Sequence, residues 1–150
     1  IFAFIRLCMI VSVMKFGKKE MATVETFEEL EIWKTARVLS NKIYELTKAI
    51  NFKNDFVLRN QMRRAAISIL SNIAEGFERS GNKEFVQFLF ISKGSAGELL
   101  SQLIVSTDQE MISREESDLL IKELKTLSRQ IGRLIVYLKN SEFKGSKFKK

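Results

Sequence analysis

The stretch QMRRAAISILSNIAEGFERS, residues 61–80, decides how the chain folds. Its apolar residues recur at the three- and four-residue spacing of an α-helix and occupy most of the helix circumference. A row of polar residues, here called the polar seam, runs through it within about 80° on a helical wheel. The seam consists of Gln61, Arg64, Ser68, Asn72, Glu75 and Arg79. A helix with so narrow a polar face has to be covered on more than one side.

Polar side chains in a half-buried seam need hydrogen-bond partners, because each unsatisfied group costs about 1–3 kcal/mol. Arg64 lies at helical contact spacing from Ser68, and Asn72 lies near Glu75 and Arg79. We interpret the seam as a structural network that fixes helix register and assembly. Direct contact with a ligand or a nucleic acid is the alternative.

Helical periodicity continues on both sides of this stretch. The chain has no Pro and only 7 Gly, which favours long helices over sheets and loops. Asp55 and Asn82 are the expected N-caps of the second and third helices, and Ser113 with Glu116 forms a capping box before the fourth. Long helices joined by short connections lie antiparallel. The sequence therefore predicts an all-α, antiparallel up-and-down four-helix bundle with helices at residues 27–50, 56–79, 83–107 and 113–138.

The 150 residues are enough for one domain with a core. We assign residues 25–139 to the bundle, residues 1–24 to a non-core N-terminal extension, and residues 140–150 to a basic C-terminal tail. The apolar run at residues 1–16 is shorter than the roughly 20 residues of a membrane span. We interpret it as a start-site artefact, with Met14 or Met21 as the natural start. A short membrane-associating anchor is the alternative.

Histidine is absent and Cys8 is the single cysteine. Catalytic triads, Cys-His pairs, His-ligated zinc and the Glu-x-x-His di-iron site of many bundles are therefore excluded. We predict no catalytic residue, no metal and no cofactor. An enzyme using Glu75 or Glu98 as an acid or base would need a second functional group beside it, and none is evident. One cysteine also favours a reducing compartment, so the cytoplasm is expected and a membrane is not.

The net charge of +7 comes entirely from the two ends, because residues 21–138 contain 16 basic and 16 acidic residues. Within the bundle, cations nevertheless line up along the outer side of the fourth helix, within about 80° of one another. This basic stripe consists of Lys122, Lys125, Arg129 and Arg133. Arg59, Arg63 and Arg64 form a second basic cluster at the start of the second helix. Rows of cations can bind phosphates through counterion release, although helix exteriors are often basic and no aromatic residues interleave the stripe for base stacking.

The third helix has small residues on the side away from its core face. We call this side the small-residue face. It consists of Gly94, Gly97 and Ser101 together with the larger Phe90. Gly inside a helix costs about 1 kcal/mol relative to Ala, so two glycines indicate close approach by another backbone. We predict that this backbone belongs to another copy of the chain.

Three motifs, RRAAISI at 63–69, SNIAEG at 71–76 and KGSAGEL at 93–99, resemble a known family in order and spacing. It is the bacterial four-helix-bundle family whose first members are encoded in intervening sequences of 23S ribosomal RNA genes. The accessory protein of diversity-generating retroelements is similar. The resemblance covers about residues 27–138. Lys53 and Leu70 stand where the family often has Pro. The absence of Pro at Leu70 predicts a straighter second helix.

The resemblance implies a ring, expected to be a homopentamer, with no established enzymatic activity. The retroelement relatives engage a reverse transcriptase and RNA through basic surface. We therefore expect a homo-oligomeric protein that associates with RNA or another nucleic acid. A scaffold or adaptor that binds a protein partner, with nucleic acid incidental, is the alternative.

Overall fold

A computed structural model describes residues 9–12 and 21–141. Most of them lie in four α-helices: α1 (Glu31–Leu46), α2 (Phe56–Glu78), α3 (Asn82–Asp108) and α4 (Arg114–Asn140). Single 3-10 turns at Phe27–Glu29 and Ile50–Phe52 precede α1 and α2. The prediction of four helices packed against one another is confirmed.

Each helix packs against two neighbours, in the ring order α1, α2, α3, α4. Between α1 and α2, Ser40 Oγ donates to the Ala66 carbonyl at 3.0 Å, and Arg63 Nε donates to Thr47 Oγ1 at 2.7 Å. Residue numbers thus rise on α1 as they fall on α2, so these two helices run in opposite directions. Contacts of α3 with α2 and with α4 likewise pair rising residue numbers on one helix with falling numbers on the other, so these neighbours are also antiparallel. It follows that α2 and α4 lie diagonally across the bundle.

Side-chain caps start two of the helices where the sequence predicts them. Asp55 Oδ1 accepts a hydrogen bond from the Leu58 amide at 2.8 Å. Ser113 Oγ accepts one from the Glu116 amide at 3.2 Å. Each satisfies one of the amides that the first turn of a helix leaves without a partner.

The predicted cap at Asn82 is wrong. Gly81 occupies the N-cap position in extended backbone, and Asn82 is the first residue of α3 and is buried. The cause is the tight connection after α2, where Ser80 adopts a left-handed φ of 58°. This turn brings the chain straight into α3 and places the Asn82 side chain against the bundle.

The first helix is shorter than the predicted 27–50. α1 ends at Leu46, and Thr47 Oγ1 donates to the Ile43 carbonyl at 2.7 Å. The chain then bends so that Phe52 is fully buried, while Ile50, the last residue of the predicted helix, is 76% exposed. Burial of the larger aromatic ring favours this turn over one more helical turn.

The core runs along the centre of the bundle and includes seven residues of α4: Leu120, Leu124, Leu127, Ile131, Leu134, Ile135 and Leu138. Helices α2 and α3 approach each other closely at Gly76. An ideal Cβ built on Gly76 would lie 2.6 Å from Phe88 Cβ and 2.8 Å from a ring carbon of Phe85. Only glycine allows the two helices to come so close here.

A β-hairpin precedes the helices and is not predicted from the sequence. Strand β1 (Met9–Ser12) pairs antiparallel with β2 (Met21–Val24), with Met9 opposite Val24. Val24, inside the extension expected to be non-core, is buried in the core cluster. The C-terminal tail lies almost wholly outside the described residues.

Candidate nucleic-acid interface

The basic stripe lies along the middle of α4 and is exposed at all four positions. It is opposite the buried apolar side of the helix, which includes Leu124, Leu127 and Ile131. Arg129 Nη2 donates to Thr126 Oγ1 at 3.0 Å. In the described part of the chain, no stripe residue forms an ion pair.

One carboxylate, Glu123, lies within the sequence of the stripe, and it points toward α1. There its Oε1 accepts a hydrogen bond from Lys42 Nζ at 2.6 Å. The flank of α4 that faces α1 is thereby neutralised, whereas the outward side keeps its positive charge.

A groove between α3 and α4 borders the stripe, with a volume of about 420 Å³. Its rim carries three cations: Lys93 from α3, and Lys125 and Arg129 from α4. Lys93 extends toward α4, since an ideal Cβ built on Gly132 would lie 3.8 Å from its Nζ. The remaining lining is mainly small or apolar: Ala96, Gly97, Leu100, Leu124 and Ser128.

Sequence reasoning missed Lys93 as part of this surface. Lys93, Gly97 and Leu100 recur at spacings of four and three, which places them on one side of α3. That spacing is visible in the sequence. Which neighbouring helix the side faces becomes known only when α3 and α4 are packed together.

The basic cluster of α2 is not part of the same surface, because α2 lies diagonally opposite α4. Arg63 is half-buried, and its guanidinium lies 4.9 Å from the Tyr44 ring centroid while it also binds Thr47. Arg59 lies 4.7 Å from the Phe56 ring centroid. Arg64 alone is freely exposed. Two of the three arginines therefore already hold intramolecular contacts.

The polar seam divides into a half-buried centre and exposed ends. In the centre, Ser68 Oγ lies 2.9 Å from Ser95 Oγ of α3. Asn72 Nδ2 donates to the Ser68 carbonyl at 2.7 Å and to its hydroxyl at 3.0 Å, rather than toward Glu75 or Arg79. The centre of the seam is thus a hydrogen-bond network between α2 and α3.

The ends of the seam face solvent. Gln61 and Arg64 are exposed, and the expected contact between Arg64 and Ser68 is not among the hydrogen bonds of the described residues. At the other end, Glu75 and Arg79 form an exposed ion pair at 2.7 Å.

The described residues leave the small-residue face of α3 uncovered. An ideal Cβ on Gly94 or Gly97 would have no neighbour within 4 Å among the described residues, and Ser101 is exposed. Phe90 is 48% exposed, with Lys139 Nζ 5.0 Å from its ring centroid. No close approach within the bundle accounts for these two glycines.

The apolar character of α3 exceeds what the core requires. By length and composition α3 is apolar enough to cross a membrane, a property that core helices of soluble proteins share, yet only 33% of its most apolar window is buried. Four large apolar side chains on its outer side remain exposed: Phe90, Ile91, Ile104 and Val105.

Acidic side chains do not assemble into a site in the described part of the chain. Glu75 pairs with Arg79, and Glu98 is exposed on the outer side of α3. No group of three His, Cys, Asp or Glu residues there is placed to hold a metal ion.

The model of the 23S rRNA-intervening sequence protein family matches residues 28–133. The chain belongs to that family. It is also similar to a solved structure from Bacteroides thetaiotaomicron, described as a protein of unknown function from the S23 ribosomal protein family. The TM-score is 0.66 at 23% identity, over 69% of this chain and 97% of the other, which shows a shared fold. None of the curated proteins matches the chain.

Proposed function

We propose that this protein is a non-enzymatic, cytoplasmic homo-oligomer that associates with RNA or another nucleic acid through the basic stripe of α4. The observation that carries the proposal is a row of four exposed cations without a carboxylate partner in the described residues. Each phosphate that such a cation contacts releases condensed counterions, which makes a continuous row favourable for polyanion binding.

Self-association through the small-residue face forms part of the proposal. The exposed apolar side chains of α3 and its two open glycines would be covered if another copy packed against them. A homopentamer is the assembly that we propose, following the family resemblance. Assembly would also repeat the basic stripe around the ring, and repeated sites raise the avidity for a long polyanion.

Reversal of two central charges of the stripe tests the nucleic-acid role. The double variant Lys125→Glu/Arg129→Glu should lower RNA affinity at least about tenfold at 0.1 M salt, because two phosphate contacts are lost. The decrease of binding with salt concentration should also become less steep. Fluorescence anisotropy with labelled RNA, measured at several salt concentrations, gives both values.

The matched control is Lys34→Glu/Lys48→Glu, with Lys34 on α1 and Lys48 just after its end, which changes the net charge equally at two exposed lysines outside the stripe. It should retain most of the affinity. Equal losses in both double variants would show that only total charge matters, and unchanged binding by the α4 variant would refute the stripe as an interface.

A scaffold that binds a protein partner is the second candidate. It is favoured by an apolar patch around the α1–α2 connection, where Ile50, Phe56 and Val57 are more than half exposed. In that case a partner should remain bound after nuclease treatment and be lost with Val57→Glu, while Lys125→Glu/Arg129→Glu has no effect.

A further inference from the structure

The three rim cations of the α3–α4 groove lie along a short line. Lys125 and Arg129 are one helical turn apart, and Lys93 reaches α4 near Gly132. At 1.5 Å per residue the three charges span about 10 Å along α4. This length suits more than one phosphate group rather than a single small anion.

Between these cations the groove is uncharged. Ala96, Leu100 and Leu124 supply an apolar floor. No carboxylate lines the groove in the part of the chain that the structure describes. Glu98 follows Gly97, but a step of about 100° around the helix axis places it on another side of α3.

We infer that the α3–α4 groove binds a single-stranded segment of RNA, with phosphates on Lys93, Lys125 and Arg129 and a ribose or base against the apolar floor. This inference rests on the proposed function and adds the strandedness of the ligand. A single strand can bend into a groove and offer an unstacked base. A duplex keeps its bases stacked inside and cannot place one against the apolar floor.

Lys93 distinguishes the two modes of binding, because it belongs to the groove and not to the basic stripe. Lys93→Gln should weaken binding of a short single-stranded oligouridine about fivefold at 0.1 M salt and lower the slope of log K against log salt by about 0.7. Binding of an RNA duplex of the same length should change much less. Lys83→Gln is the control, since it removes the same charge from an exposed position of α3 outside the groove.

The measurement is fluorescence anisotropy of the full chain with both labelled RNAs over a range of salt concentrations. Equal effects of Lys93→Gln and Lys83→Gln would overturn the groove inference, even if Lys125→Glu/Arg129→Glu still abolishes binding and so supports the proposed function. Equal losses for single strand and duplex would overturn the single-strand preference. RNA affinity that is insensitive to Lys125→Glu/Arg129→Glu would overturn the proposed function itself.

Discussion

The two sides of α3 differ in how closely small residues are packed. Toward α2, Gly76 of α2 lies so close to Phe85 and Phe88 that a Cβ built on it would overlap them, and Ser92 Oγ donates to the Ile69 carbonyl at 2.9 Å. On the outer side, a Cβ built on Gly94 or Gly97 of α3 would meet none of the described residues within 4 Å. The bundle itself closes the first interface, whereas the described residues leave the second surface uncovered.

A small residue in a helix can therefore have either of two structural effects. It permits close helix packing where a partner helix is present, and it leaves room for a ligand or another subunit where none is present. Residue type alone does not separate the two. The position of the glycine relative to its neighbouring helices does.

The largest expected effect is at the closed interface. Gly76→Ala should lower the free energy of unfolding by about 2 kcal/mol, because its Cβ would overlap Phe88 and force α2 and α3 apart. Urea unfolding followed by circular dichroism, at equal protomer concentrations, measures the change.

Gly132→Ala on α4 is the control for Gly76→Ala, since its new Cβ would meet only the flexible tip of Lys93. It should raise the free energy of unfolding by about 0.5–1 kcal/mol through lower backbone entropy in the unfolded chain. If Gly76→Ala and Gly132→Ala changed the free energy of unfolding in the same direction, close packing would not be what sets Gly76 apart.

A smaller effect is expected from the buried serines between α2 and α3. Ser92→Ala removes the hydrogen bond to Ile69 from a fully buried position and should cost about 1 kcal/mol of unfolding free energy. Ser101→Ala, the same substitution on the exposed side of α3, should be close to neutral. Equal losses of unfolding free energy for Ser92→Ala and Ser101→Ala would show that Ser101, on the outer side, also makes a stabilising hydrogen bond.

The smallest effect belongs to the exposed end of the polar seam. Glu75→Gln breaks the ion pair with Arg79 and should change the free energy of unfolding by less than about 0.5 kcal/mol, because both side chains are about half exposed. Thermal unfolding at low and high salt checks this. A loss above 1 kcal/mol that salt does not reduce would place this pair in a buried network.

Periodicity was sufficient to predict the four helices, because the apolar positions of an amphipathic helix follow directly from its geometry. It failed where two local structures compete. At Ile50 the pattern continues the helix, but burial of Phe52 ends it. At Asn82 a cap residue is present, but the turn at Ser80 assigns the cap position to Gly81.

The candidate site was only partly predictable for a related reason. The stripe on α4 lies on one helix, so its spacing alone identifies it. Lys93 joins the groove beside the stripe only through packing between helices. The Arg63 guanidinium is held by Tyr44 of α1 and by Thr47, which caps that helix, so it is less available than the α2 spacing predicts. The residue spacing within one helix does not reveal which other helix each of its sides contacts.

The central claim is that the open side of α3 is covered by other copies of the chain. Light scattering of the purified protein at micromolar concentration tests it most directly. Because self-association would cover this side, we predict a solution mass that is a multiple of the 17.3 kDa protomer, five times for the proposed pentamer. A mass of 17.3 kDa at every concentration would contradict it.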